Sequence, residues 1–204
     1  MSSPSILPPN WYEQDVVSVA QGLLGKRLVR LLDGQRISGL IVETEAYRGE
    51  EDLACHARAG YTPRTSVMYG PPGRAYVYFT YGMHWLLNVV CMAEGYPAAV
   101  LIRAIQPLEG IEIIARRRAG QPPQRWTDGP AKLTAALGID GSLNGADLTT
   151  PSSGLWIEEA PLPEGAVIQQ SARIGIERVP EPWKSIPWRF YLQSNSTGQV
   201  NAVK

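Results

Sequence analysis

Apolar and polar positions alternate along this chain in ways that predict more strands than helices. Val16, Val17, Ala20, Leu23 and Leu24 recur at helical spacing, which predicts a helix from Tyr12 to Leu24 with Asn10 as its N-cap. The apolar runs Leu28–Leu32 and Ile37–Tyr47 flank Asp33-Gly34, a dipeptide suited to a two-residue hairpin turn. Gly49–Pro72 is rich in turn residues and lacks a sustained period, so it reads as a long loop with room for a short helix. Tyr76–Tyr81 and Trp85–Met92 flank Gly82-Met83-His84 and predict a second hairpin. Ala98–Ile105 has the pattern of a buried strand that stops at Pro107. Helices are expected at Leu108–Arg118 and Pro130–Leu137, the latter with proline in its first turn and Gly138 past its end. Leu155–Glu158, Val167–Ile176 and Arg189–Gln193 complete the strands. No repeat or long linker divides the 204 residues. The expected fold is one mixed α/β (α+β) domain over residues 1–204, with residues 1–11 as a loose leading segment. It has a curved, mainly antiparallel sheet, peripheral helices and a protruding hairpin.

Composition narrows the function. Hydrophobic residues make up 44% and charged residues 19%, enough for a real core and too little charge for disorder. Cys55, Cys91 and two histidines form neither a disulfide framework nor a zinc-ligand spacing, so neither metal nor cofactor is expected. The leading residues lack the pattern of a signal peptide and no apolar run approaches a membrane span, which points to the cytoplasm. A monomer is expected. The formal net charge of zero argues against a nucleic-acid partner, but the charges are unevenly spread. From Leu53 to Ala135 nine basic residues face four acidic ones, while acids gather at Glu43–Asp52 and in the last quarter. Nine tyrosines and six tryptophans against two phenylalanines give either polar-edged core filling or a stacking surface.

Three stretches could carry chemistry. In a strand, Glu43, Glu45 and Tyr47 share a face with Ile41 before them, so carboxylates replace apolar residues midway along it. That face either reaches solvent or places a general base beside an aromatic wall. His56 and Arg64 lie in the loop that follows, where each could equally be an ordinary exposed or structural residue. In the second hairpin, Tyr76 and Tyr78 lie together, opposite Phe79 and Tyr81. Tyr81 precedes the turn glycine, where a large ring is hard to bury, so it is either a packing aromatic or a wedge for a base stack. Asn88 and Arg103 interrupt apolar runs and need partners; Glu43 is a candidate partner for Arg103, and pocket lining is the alternative.

Seven pieces in order resemble the alkyladenine (3-methyladenine) DNA glycosylase family. They are Leu24-Gly25-Lys26, Val42–Tyr47, His56 with Thr62-Pro63-Arg64, Tyr76-Val77-Tyr78 with Tyr81-Gly82-Met83, Asn88, Leu101–Ala104 and Gly129–Leu133. The resemblance runs from about Leu24 to the Arg189-Phe190-Tyr191 strand. It implies that Glu45 activates water, that Arg103 is its catalytic-site partner, and that Tyr47, His56 and Tyr78 wall a pocket for a flipped base. Asn88 would disfavour the 2-amino group of guanine, Tyr81 would wedge into the minor groove with Met83 beside it, and Arg64 and Lys132 would meet DNA. The chain departs from animal members in its zero net charge and in having no long basic N-terminal extension. The implied activity is hydrolysis of the N-glycosidic bond of damaged purines in double-stranded DNA, without strand cleavage and without cofactor. Two other readings stay open. A carbohydrate glycosidase would need two carboxylates about 5–5.5 Å apart in a groove, a role for Glu43 and Glu45. A noncatalytic binding module would use Tyr47, Tyr78 and Tyr81 only for stacking.

Overall fold

The computed structural model describes residues 5–193. Eight strands form one sheet, every pair antiparallel. They are β1 (Arg27–Leu32), β2 (Gln35–Arg48), β3 (Ala75–Thr80), β4 (His84–Val90), β5 (Ala98–Glu109), β6 (Leu155–Glu158), β7 (Val167–Ser171) and β8 (Arg189–Gln193). The order is β3-β4-β5-β2-β1-β6, and β8 joins β2 to β7. Strand β2 is the hub. It runs beside β5 for most of its length, beside β1 in its first half, and beside β8 at Glu43–Glu45. Three helices, α1 (Val16–Gly22), α2 (Ile111–Arg117) and α3 (Pro130–Leu137), complete the mixed α/β domain. Helix α1 packs on β2 and β5, α3 on β4 and β5, and α2 against α3. The Thr44 hydroxyl donates to Ala20 O at 2.7 Å and so ties α1 to the hub strand.

Several boundaries differ from the pattern, each for a local reason. The first helix is shorter than Tyr12–Leu24 because Asp15, not Asn10, caps it, accepting from Val17 N at 2.9 Å. Pro9–Glu13 forms a separate 3-10 turn that buries Tyr12 completely. The leading segment is docked from Ser5 onward rather than loose: Leu7 is buried, and its N–H donates to Ile157 O. Strand β5 continues through Pro107 to Glu109, and Gly110 in a left-handed conformation opens α2 three residues late. Gly39 permits this, since a Cβ there would meet Ile105 Cδ1 at 2.7 Å and Gln106 O at 2.9 Å. Strand β7 stops at Ser171 instead of Ile176, because Arg173 turns inward.

Two irregularities in the β2–β5 ladder prepare the site. Ile41 faces Ile105 and Glu43 faces Ala104, so Val42 is an extra residue on β2. Thr44 then faces Ile102, so Arg103 is an extra residue on β5. Such bulges bend the strand and re-aim side chains. The simple alternation from Ile41 therefore fails: Ile41 and Val42 both enter the main core, while Glu43 and Glu45 turn to charged partners.

Candidate active site

Glu45 is completely buried, and three donors hold it. Its Oε2 accepts from the Tyr47 hydroxyl at 2.9 Å and from Arg103 Nη1 at 3.2 Å; its Oε1 accepts from Ile174 N at 2.7 Å. Burial pushes the Glu45 carboxyl above the usual carboxylate range, against the pull of Arg103, the Ile174 N–H and the Tyr47 hydroxyl. Glu43, also buried, accepts from Arg103 Nε at 2.8 Å and from Arg189 Nε at 2.5 Å. Arg103 thus bridges the two carboxylates, and two cations balance two anions. Behind Tyr47 lies a second buried pair. Arg173 donates twice to Asp52 and its guanidinium sits 4.7 Å from the centre of the Tyr47 ring.

In front of these charges opens a cavity of about 360 Å³, within the range of small-ligand sites. Glu45 does not line it, but its three partners Tyr47, Arg103 and Ile174 do. The remaining walls include His56, Tyr76, Tyr78 and Asn88. The ring of His56 lies 4.5 Å from that of Tyr78, edge to face, and His56 Nδ1 is 3.0 Å from the Tyr76 hydroxyl. Burial and the nearby Arg64 and Arg58 push the His56 imidazole down to about 4, so it is neutral at pH 7. Asn88 is buried, its Nδ2 donating to Tyr76 O at 3.1 Å. The Cys55 thiol is pushed up to about 12 by burial, so it is no nucleophile at neutral pH. Among the described residues no cluster of histidine, cysteine and carboxylate side chains could hold a metal ion.

The rim is shaped by the β3–β4 hairpin. Tyr81 and Gly82 both have positive φ, 52° and 68°, and Met83 N donates back to Thr80 O at 3.2 Å. A left-handed tyrosine is uncommon and directs its ring off the strand. Tyr81 is 84% exposed yet lines the mouth of the cavity, and Met83 beside it is 67% exposed. Arg64 is exposed with its guanidinium 5.3 Å from the centre of the Tyr78 ring, so it covers a wall residue. Lys132 lies on α3, whose first residues Pro130 and Ala131 line the mouth; it donates to Asp128 at 2.7 Å instead of standing free.

A family model for methylpurine-DNA glycosylase (MPG) matches residues 10–196. The chain belongs to that family. It is 48% identical over 190 residues to a Carboxydothermus hydrogenoformans protein named "Putative 3-methyladenine DNA glycosylase", covering 93% of this chain and 96% of the relative. Relatives of the same name from Desulfitobacterium hafniense and Methanocella arvoryzae are 47% and 46% identical, covering 91% of this chain in each case and 94% and 92% of the relatives. Membership makes this chain a DNA glycosylase of the base-excision repair type, and it sets aside both alternatives read from the sequence. The geometry agrees on one of them: Glu43 and Glu45 do not flank a groove, since neither lines the cavity. No described helix is long and apolar enough to cross a membrane. The buried network around Glu45 and Tyr47 also contains residues that the sequence pattern did not single out: Asp52, Arg173, Ile174 and Arg189. Asp52 and Arg173 lie 121 positions apart, and nothing local marks either as buried.

Proposed function

We propose that this glycosylase hydrolyses the N-glycosidic bond of alkylated or deaminated purines in double-stranded DNA, with water activated by Glu45. The observation that carries the reading is the layering of the site. A buried carboxylate stands directly behind a cavity whose walls include the rings of Tyr47, His56, Tyr76 and Tyr78, with Arg103 reaching it from the charged side, and an exposed tyrosine stands at its mouth. A base inside a duplex cannot be attacked, so it must be rotated out, at a cost of a few kcal/mol. Tyr81 fills the gap left in the stack, with Met83 beside it, while Arg64 and Lys132 meet the phosphates. The flipped purine enters between Tyr47, His56 and Tyr78. A positively charged alkylpurine gains about 0.5–2 kcal/mol per good ring contact there. Asn88, held by Tyr76 O, excludes the 2-amino group of an undamaged guanine.

The chemistry follows from the donors on Glu45. Water enters between Tyr47, Arg103 and Ile174, gives a proton to the carboxylate and attacks C1′ of the deoxyribose. The C1′–N bond breaks and its electron pair leaves with the base. A cationic base departs neutral and needs no acid, whereas a neutral base such as hypoxanthine departs as the anion and takes its proton from solvent. Burial raises the proton affinity of Glu45, as suits a base, while Arg103, the Ile174 N–H and the Tyr47 hydroxyl pull it back toward the ionised form. Among the described residues no lysine lines the cavity, which supports release of the base without cutting of the strand.

The test is base release from duplex oligonucleotides carrying 3-methyladenine, 7-methylguanine, hypoxanthine or ethenoadenine, followed by alkali to reveal abasic sites. Release of at least one lesion with strand breaks only after alkali is expected. No release of any lesion removes the reading, and breaks before alkali remove its monofunctional part.

A further inference from the structure

The Arg173–Asp52 pair has no obvious part in binding a base. Both side chains are 0% exposed, so two charges have been taken fully out of water. That is costly unless every contact is well made. Arg173 makes four. Nη1 donates to Asp52 Oδ2 at 2.5 Å and to Ala46 O at 3.0 Å; Nη2 donates to Asp52 Oδ1 at 2.9 Å and to Trp183 O at 3.2 Å. The guanidinium also lies against the rings of Tyr47 and Trp188, 4.7 and 5.3 Å from their centres.

Two of these anchors, Ala46 and Tyr47, end beside Glu45. Ala46 is the residue between Glu45 and Tyr47 on β2. Tyr47 carries the hydroxyl on Glu45 Oε2, and Ile174, the residue after Arg173, supplies the N–H on Glu45 Oε1. The Ile174 side chain is 45% exposed and Gly175 follows with a φ of 81°, so apolar burial of these two residues does not hold the segment in place. The fork of Arg173 does. An apolar pair could fill the same volume, but it would not fix the direction of the next N–H.

We propose that Arg173 and Asp52 are positioning residues: they hold the Ile174 N–H and the Tyr47 hydroxyl on the carboxylate of Glu45. The inference rests on the reading of Glu45 as the base. It has a consequence in pH. Glu45 faces Glu43 and Tyr47 from β2, Arg103 from β5, Tyr78 from β3 and the Ile174 N–H; Arg189 from β8 faces Glu43. Burial raises its carboxyl, and the Ile174 and Tyr47 donors are two of the three groups that pull it down. Loosening those two donors favours the protonated form and moves the acid side of the rate profile upward.

The experiment measures single-turnover release of hypoxanthine from a duplex across pH, together with equilibrium binding to a duplex carrying an abasic-site analogue. Wild type and Glu45→Gln serve as controls. Arg173→Lys keeps the charge opposite Asp52 but loses the fork. Its rate per active site at pH 7 is expected to fall about tenfold or more, as misplaced catalytic groups do, with affinity within about twofold. Its acid limb is expected to move up by about one pH unit, the loss of roughly one hydrogen bond to the ionised form. The double variant Arg173→Met/Asp52→Leu leaves no charge buried alone and is expected to show the same shift, which covers any loss of stability in the lysine variant. A pair that is merely structural would lower the active fraction, read from the product formed per enzyme, and leave the limb in place. Wild-type rate per active site and an unmoved limb in either variant would overturn the proposal. Absence of release of any lesion by wild type, or a fully active Glu45→Gln, would instead overturn the reading of Glu45; where wild type releases a different lesion, that base replaces hypoxanthine in the assay.

Discussion

Behind the cavity, Glu43, Glu45, Arg103 and Arg189 form a block of four charges on β2, β5 and β8. The walls in front combine small and apolar side chains with rings from the β3–β4 hairpin and the loop after β2, and Arg103 is the member of the block that reaches them. The two regions are held differently. The two carboxylates are buried and the two arginines half-buried, and each charge is fixed by more than one directed bond, mostly on strands at the centre of the sheet. The rings are partly open, meet edge to face, and end in a turn with a left-handed tyrosine. This division has a physical reason. A charge that must act on a developing charge gains most from a dry, pre-arranged site. A surface that must accept a cationic or neutral purine does better without a fixed charge of its own. If the division is real, changes behind the cavity alter the chemical step, and changes in front alter extrusion and selection.

The sharpest way to break it is Glu45→Gln. General-base catalysis is worth about 10²–10⁴ in rate, so single-turnover base release is expected to fall by that factor. Binding to abasic or lesion DNA should persist, since Glu45 does not line the cavity. Weakened binding of similar size would show that the buried block also recognises the base.

Next in size is Tyr81→Ser. Filling the vacated stack offsets part of the flipping cost, about 1–3 kcal/mol by base–aromatic stacking magnitudes. Losing ~2 kcal/mol lowers the flipped population about thirty-fold. Release from a stable pair should therefore suffer far more than release from a mismatch or single strand, where the base is already loose. A fluorescent ethenoadenine in both contexts reads the flipping equilibrium directly. Equal losses in the two would move Tyr81 from the rim into the pocket.

These two residues also show what was legible in the sequence. Tyr81 before Gly82 identified the hairpin tip, because a turn with positive φ is a local property of a few residues. Glu45 and Tyr47 could be placed on one face because strand alternation is local too. The bulges at Val42 and Arg103 were not visible, since each depends on how two strands meet; Arg103 and Glu43 were paired only as a guess from polarity. Leu7 was missed because a docked leading segment is held by β6, far along the chain. Arg173 was hidden inside what read as a strand, and its partner Asp52 at the end of the stretch where acids gather.

Tyr78→Leu is expected to have a smaller and more selective effect. Loss of one ring contact, about 0.5–2 kcal/mol, should cut processing of cationic 7-methylguanine by roughly twofold to thirtyfold relative to neutral hypoxanthine. Arg64 already lies over this ring, so the selective loss should grow when Arg64→Ala is the background. A melting temperature that falls in step with both activities would mark Tyr78 as a core residue instead.

The smallest expected effect tests whether the walls are truly neutral. Burial and the neighbouring arginines hold the His56 imidazole at about 4, below its ordinary value of 6.5. The unfolded chain therefore binds this proton first as the pH falls. For a group depressed in the folded state, the stability it contributes is complete above about 6.5 and is lost as the pH falls through the folded value near 4. Wild type should lose stability across that window for this reason, in addition to whatever the carboxylates contribute. Glu45 acts in the opposite sense, because its carboxyl is raised and its protonation favours the folded form. Comparing His56→Asn with wild type cancels such shared contributions. The measurement is the urea midpoint of both proteins from pH 7 to pH 4, with the variant expected to lose less as the pH falls. His84 lies exposed on β4 and is present in both proteins, so it does not enter the difference. Parallel curves would mean that His56 titrates alike in the folded and unfolded chain. The wall would then carry a positive charge in mild acid, and the contrast between a charged floor and neutral walls would hold only near neutrality and above.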